Sequence, residues 1–101
     1  MSENVIHLVE EFVEKNNMDS VMDQWRVVRE ERHELDKELT KRHFGEENNV
    51  AEEIADEMIT LMVLGEIMDI NYTEELIKKM KYNVQKTGEK DENGKVIDDV
   101  A

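Results

Sequence analysis

The sequence predicts an all-α fold, and three observations carry that prediction. Proline is absent and glycine occurs four times in 101 residues, so few positions interrupt a helix. Aromatic residues are scarce, whereas Met, Leu, Ile, Val, Glu and Lys are plentiful. Apolar residues recur at helical spacing over long stretches of the chain. The expected architecture is an antiparallel bundle of four to five helices, oligomeric. Residues 1–86 form the helical domain and residues 87–101 a short extended C-terminal tail or arm.

The first helix is expected from about Asn4 to Lys15, where Val5, Ile6, Leu8, Val9, Phe12 and Val13 form an apolar stripe. Asn16-Asn17 breaks it. Asp19 or Ser20 caps a second helix that runs to about His43, and Gly45 suits the left-handed position that closes a helix. The apolar face of this helix reads Val21, Met22, Trp25, Val28, Leu35 and Leu39. Val27, Glu31, Glu34 and Glu38 form a second stripe beside it, which places Glu31 at the core boundary. Arg32 falls near the centre of the apolar face, where it either pairs with a buried carboxylate or snorkels to water.

The third helix is expected from Asn48 or Asn49 to about Met68. From Ile54 onward it is apolar nearly all round, and a helix apolar on every side is buried on every side. One small helical layer struggles to cover it, so a partner subunit is expected to do so, giving a homo-oligomer, dimer or tetramer. Gly65 marks a close helix crossing. After a break at Asn71-Tyr72-Thr73, Thr73 serves as N-cap with Glu74 and Glu75 in the first turn, and the fourth helix runs to about Lys86. In the tail, Asn93-Gly94 signals a turn and Lys95-Val96-Ile97 a short strand or extended arm.

Charged residues make up 39% of the chain and the formal net charge is −13. No sustained basic stripe is present to displace counterions from a nucleic-acid backbone, so direct nucleic-acid binding is not expected. An acidic protein still binds a polyphosphate when metal ions bridge the two. With no cysteine there is neither a disulfide framework nor a thiolate metal site, and a reducing cytoplasm fits. The N-terminus carries no signal-peptide pattern. The longest apolar stretch, Met58 to Ile70, contains Glu66 and Asp69 and is too short to span a bilayer.

Two acidic clusters on neighbouring expected helices carry the chemistry. The first is Glu30-Glu31-Arg32-His33-Glu34 and the second Glu52-Glu53-Ile54-Ala55-Asp56. Carboxylates three and four residues apart share a helix face, and two such faces on antiparallel helices meet in a pocket of oxygen donors suited to a hard cation such as Mg²⁺. A single cluster says little in a chain with 26 acidic residues. Glu10-Glu11-Phe12-Val13-Glu14 repeats the first pattern on another helix, and charge runs usually decorate solvated faces. Glu53 and Asp56 are more informative, because they stand where the most apolar helix begins to be buried, and buried carboxylates need partners. Those partners are either a metal ion or Arg26, Arg29 or Arg32.

The pattern Glu30-Glu31-Arg32-His33-Glu34-Leu35 followed by Glu53-Ile54-Ala55-Asp56 resembles the signature of the MazG-like all-α nucleoside triphosphate pyrophosphohydrolases. That superfamily includes dimeric dUTPases, dCTP pyrophosphatases and phosphoribosyl-ATP pyrophosphohydrolases. The resemblance implies Glu31, Glu34, Glu53 and Asp56 as ligands for Mg²⁺, or alternatively Mn²⁺, with Glu30 as an accessory carboxylate. It implies Lys79, Asn83 and Lys86 on the following helix as contacts to phosphate and sugar oxygens. Relatives often carry Arg at the last position, and Lys86 keeps the charge without the bidentate geometry. The implied reaction is metal-dependent hydrolysis of (deoxy)nucleoside triphosphates between the α and β phosphorus, with Glu31 or Glu34 as general base. It would serve house-cleaning or nucleotide-pool control.

Trp25 is either a base-stacking residue or a core residue on an apolar face. The His spacing supports no zinc site. Two alternatives to the enzyme are a non-enzymatic acidic helical interaction module, which predicts acidic residues spread over exposed faces, and a phosphoribosyl-ATP-type relative.

Overall fold

The computed structural model describes residues 4–101. Four helices follow in order: α1 (Val5–Lys15), α2 (Val21–His43), α3 (Val50–Ile67) and α4 (Tyr72–Val84). No strand is present among the described residues, and no helix is long and apolar enough to cross a membrane. The chain divides into two compact units, Met1–Ile70 and Asn71–Ala101, so α4 groups with the segment that follows it.

Side chains at the helix starts satisfy backbone N–H groups that have no partner within the helix. Asn4 accepts from the Ile6 N–H at 2.9 Å and Ser20 from the Asp23 N–H at 3.2 Å. α3 has no side-chain bond from its own cap residue, Asn49. Instead Asn48 accepts from the Val50 N–H at 3.3 Å, and Glu38 of α2 accepts from the Asn49 N–H at 2.9 Å. At α4 the expected cap is displaced by two residues. Asn71 accepts from the Glu74 N–H at 3.2 Å, and Thr73 lies inside the helix, its hydroxyl donating to Asn71 Oδ1.

Three helices close in the same way. Asn17, Gly45 and Asp69 take the left-handed conformation (φ 49°, 73° and 53°), and the next residue's N–H reaches back to the last turn. Those bonds are Met18 to Val13 at 3.1 Å, Glu46 to Lys41 at 2.9 Å and Ile70 to Gly65 at 3.0 Å. Asn and Asp are the non-glycine residues that tolerate this conformation best.

In the first unit α3 is central and touches both α1 and α2. Gln24 meets Thr60, Arg32 meets Glu57 and Glu38 meets Asn49, so residue numbers rise on α2 as they fall on α3. The two helices are therefore antiparallel. The residues of α2 turned to α3 are Gln24, Val28, Glu31, Leu35 and Glu38, alternately four and three apart, the spacing of a helix seam. This differs from the expected apolar face. Val28 and Leu35 belong to both, but Val21, Met22, Trp25 and Leu39 are exposed on the flank. The facing side of α3 carries Glu53, Asp56, Glu57 and Thr60 rather than a run of hydrophobes, so polar residues of α2 meet it. The fully apolar core is small: Val9, Val28 and Val63.

In the second unit the segment after α4 folds back on it. Tyr82 donates its hydroxyl proton to Asp98, and the Thr87 hydroxyl and N–H both donate to Asp99. Asp91 organises a tight turn through Gly94, and Lys90 and Val96 form one antiparallel bridge. This single bridge is all that forms where the sequence suggested a strand.

Candidate metal centre

Two seam positions of α3 and one of α2 converge. Glu31, Glu53 and Asp56 each offer an oxygen within 4.8 Å of the others, and all three are half-buried. Among the described residues this is the only such group of three. Glu31 is held there because it follows Val28 by three positions and precedes Leu35 by four, so the packing of both turns it inward. Glu53 and Asp56 share a face of α3 by the same spacing.

The electrostatics are those of a site short of positive charge. Burial raises the Glu53 pKa above the usual carboxylate value, and the charges of Asp56, Glu31 and Glu34 and a side-chain hydrogen bond with Glu31 add to the effect. Glu53 Oε2 is buried and has no hydrogen-bond partner. The arginine alternative does not hold: no lysine or arginine among the described residues pairs with Glu53 or Asp56. Arg32 instead binds Glu57, Nε to Oε1, at 3.0 Å, and Arg26 binds Asp23 at 3.5 Å. This also fixes the role of Arg32, which pairs with a carboxylate across the helix seam.

The remaining sequence candidates occupy distinct places. Glu34 lies outside the three-oxygen group, half-buried, with Lys37 Nζ at 3.2 Å from its Oε1. Glu30 is exposed and lines an open hollow of about 510 Å³ with Arg26, Arg29, His33 and Glu34 on the outer side of α2. Trp25 is exposed on the flank of the hairpin. Lys79 and Asn83 stand one turn apart on α4, both exposed. Lys86 does not continue their face, because α4 ends at Val84. The last turn tightens there, with the Lys86 N–H on the Asn83 carbonyl at 3.1 Å, and the Lys86 ammonium lies 5.7 Å from the centre of the Tyr82 ring. The duplicate cluster at Glu10, Glu11 and Glu14 is exposed on α1 and forms no group.

Of three further residues around the site, Glu57 and Gln24 were not named from the sequence, and Glu38 was named only as a member of the stripe beside the apolar face. Glu57 takes the guanidinium of Arg32. Gln24 is buried and donates from Nε2 to the Thr60 carbonyl at 2.9 Å, which fixes the register of α2 on α3 two turns from the cluster. Glu38, also buried, is held below the usual carboxylate range by the Lys41 ammonium and the Asn49 N–H. The signal that finds Gln24 and Glu38 is the alternation of four and three through residues 24, 28, 31, 35 and 38.

A donor set made only of carboxylate oxygens fits a hard divalent cation. The orphaned Glu53 oxygen and the lack of any paired ammonium or guanidinium both fit a cation at this position. Comparison of the chain with family models, curated proteins and solved structures gives no match.

Proposed function

We propose that the protein is a Mg²⁺-dependent nucleoside triphosphate pyrophosphohydrolase, with Glu31, Glu53 and Asp56 as the metal-binding core. The observation that carries this reading is the convergence of three half-buried carboxylates with no cation partner, one of them holding a buried, unbonded oxygen. Surface acid runs do not bury an oxygen in this way, which weighs against the acidic interaction module. The order of the residues along the chain adds the resemblance to the MazG-like enzymes.

A bound Mg²⁺ supplies charge neutralisation between phosphate and carboxylate oxygens and lowers the pKa of a bound water. The protein's own part is positional. α2 and α3 hold the three carboxylates in one seam, so their mutual repulsion is stored in the fold until a cation relieves it. Glu34 completes the donor set when it leaves Lys37, an exchange that costs little because both side chains are about half exposed. A carboxylate not fully used as a ligand, Glu31 or Glu34, would take the proton of the attacking water. The products are a nucleoside monophosphate and pyrophosphate.

The test is a panel of ribo- and deoxyribonucleoside triphosphates with Mg²⁺ and identification of the released species. Pyrophosphate release that drops by about 100-fold or more in Glu53→Gln and Asp56→Asn supports the reading. Orthophosphate release places the attack at the wrong bond, and no turnover on any nucleotide removes the enzyme.

A further inference from the structure

We infer that the hollow on α2 lined by Arg26, Arg29, Glu30, His33 and Glu34 receives the phosphate groups of a ligand whose metal ion sits on Glu31, Glu53 and Asp56. The inference rests on the reading of that cluster as a Mg²⁺ site, and it names the groups that hold the anionic end of the ligand. All five residues belong to the same compact unit as the cluster.

Helix spacing sets the arrangement. At about 100° per residue, and going one way round α2 from Glu31, Glu34 stands at about 60°, Glu30 at about 100°, Arg26 at about 140°, His33 at about 160° and Arg29 at about 200°. The carboxylates therefore lie on the side towards the cluster and the guanidiniums on the side away from it. Glu34 is the shared edge: it lines the hollow, and its charge acts on Glu53 of α3. A metal–polyphosphate complex has the same polarity, with the cation at one end and anionic oxygens beyond it. A polyphosphate without its cation meets Glu30 and Glu34 as like charges, so the ligand class is a metal-bound di- or triphosphate chain.

The two guanidiniums are available. Acidic residues outnumber Lys and Arg by 26 to 13, yet Arg29 forms no ion pair among the described residues. Arg26 stands one turn before Glu30 but lies 3.5 Å from Asp23 instead. Both side chains of that pair are mostly exposed, so it is worth little and readily exchanged for phosphate. A guanidinium presents its N–H groups in a planar fork that binds two phosphate oxygens at once. The hollow, about 510 Å³, falls within the range of small-molecule sites, about 300–1,000 Å³.

The test is calorimetric titration of the full chain, first with Mg²⁺ alone and then with inorganic pyrophosphate in excess Mg²⁺. The wild type is expected to bind pyrophosphate saturably. Arg26→Gln and Arg29→Gln should each weaken that binding about tenfold or more, and Arg29→Lys should recover part of it. Arg42→Gln, the same charge change at the other end of α2, should stay within about twofold of the wild type. Mg²⁺ alone should bind Arg26→Gln and Arg29→Gln no more weakly than the wild type, because neither substitution removes a carboxylate. Absence of pyrophosphate binding by the wild type, an affinity unaltered in Arg29→Gln, or an equal loss in Arg42→Gln overturns the inference. Failure of the cluster reading looks different: the wild type then binds no Mg²⁺ on its own. In that case pyrophosphate binding that Arg29→Gln weakens still supports the hollow as a phosphate site, and binding that it leaves unaltered overturns it.

Discussion

Arg32 and Glu57 pair across the α2–α3 seam at 3.0 Å, and neither partner belongs to the three-carboxylate group of Glu31, Glu53 and Asp56. Arg32 lies next in sequence to Glu31, and Glu57 next to Asp56. Without Glu57 the Arg32 guanidinium loses its carboxylate partner and is free to turn to another. Glu57→Gln is therefore expected to weaken Mg²⁺ binding by about two- to tenfold, because Arg32 then competes with the cation. Helix content should not change. Calorimetric titration measures the affinity, and an unaltered affinity would show that Arg32 does not reach the cluster.

Glu53→Gln should stabilise the metal-free protein while removing Mg²⁺ binding. Burial and three neighbouring carboxylates raise the Glu53 pKa above its unfolded value. The folded state then holds a proton more tightly than the unfolded state, so stability rises as pH falls through the raised folded pKa and levels off below the unfolded one. Above the raised pKa the charged Glu53 opposes folding, and the neutral amide removes that opposition. Thermal melts at pH 7 and pH 5 with chelator present measure both effects. A lower Tm in Glu53→Gln at pH 7 would contradict the charge argument.

Glu38 predicts the opposite pH dependence. Its pKa is lowered by Lys41 and by the Asn49 N–H. Its contribution is thus present above the unfolded pKa and lost as pH falls through the depressed folded value. Glu38→Gln should lower the Tm at pH 7 and make little difference at pH 2, as read by denaturation at the two pH values.

Much of this fold is legible in the sequence, and one step of it is not. The helix ends are local. Asn4, Ser20 and Gly45 act within a few residues of where they stand, and the expected helices lie within about two residues of those observed. The cap at α4 goes to Asn71 rather than Thr73 because both have capping chemistry and only tertiary geometry chooses between them. The face of α2 is a different matter. Hydrophobicity selects Trp25 and Leu39, but α2 meets a polar side of α3 and turns Gln24, Glu31 and Glu38 to it. Pairing between Glu31, Glu53 and Asp56 was readable from spacing on two antiparallel helices. The destination of Arg32 was not, since Glu52, Glu53, Asp56 and Glu57 are equivalent in sequence terms and differ only by their angle around α3.

Gln24 separates the fold from the site. Gln24→Ala removes its buried hydrogen bond to the Thr60 carbonyl and should cost about 1–3 kcal/mol. In a domain of this size that lowers the Tm by about 4–8 °C per kcal/mol. Mg²⁺ affinity of the folded protein should be unaltered. Chemical denaturation and metal titration on the same variant test the two halves of this statement.

The most direct test of the carboxylate cluster as a cation site is Mg²⁺ titration of the wild type, Glu53→Gln and Asp56→Asn, read by calorimetry and by Tm. The wild type should bind saturably. A free Mg²⁺ concentration tenfold above Kd should stabilise it by about 1.4 kcal/mol, or about 6–11 °C. Neither variant should respond at that concentration. Equal responses in all three proteins, or no saturable binding by the wild type, would contradict the assignment of Glu31, Glu53 and Asp56 to a metal ion.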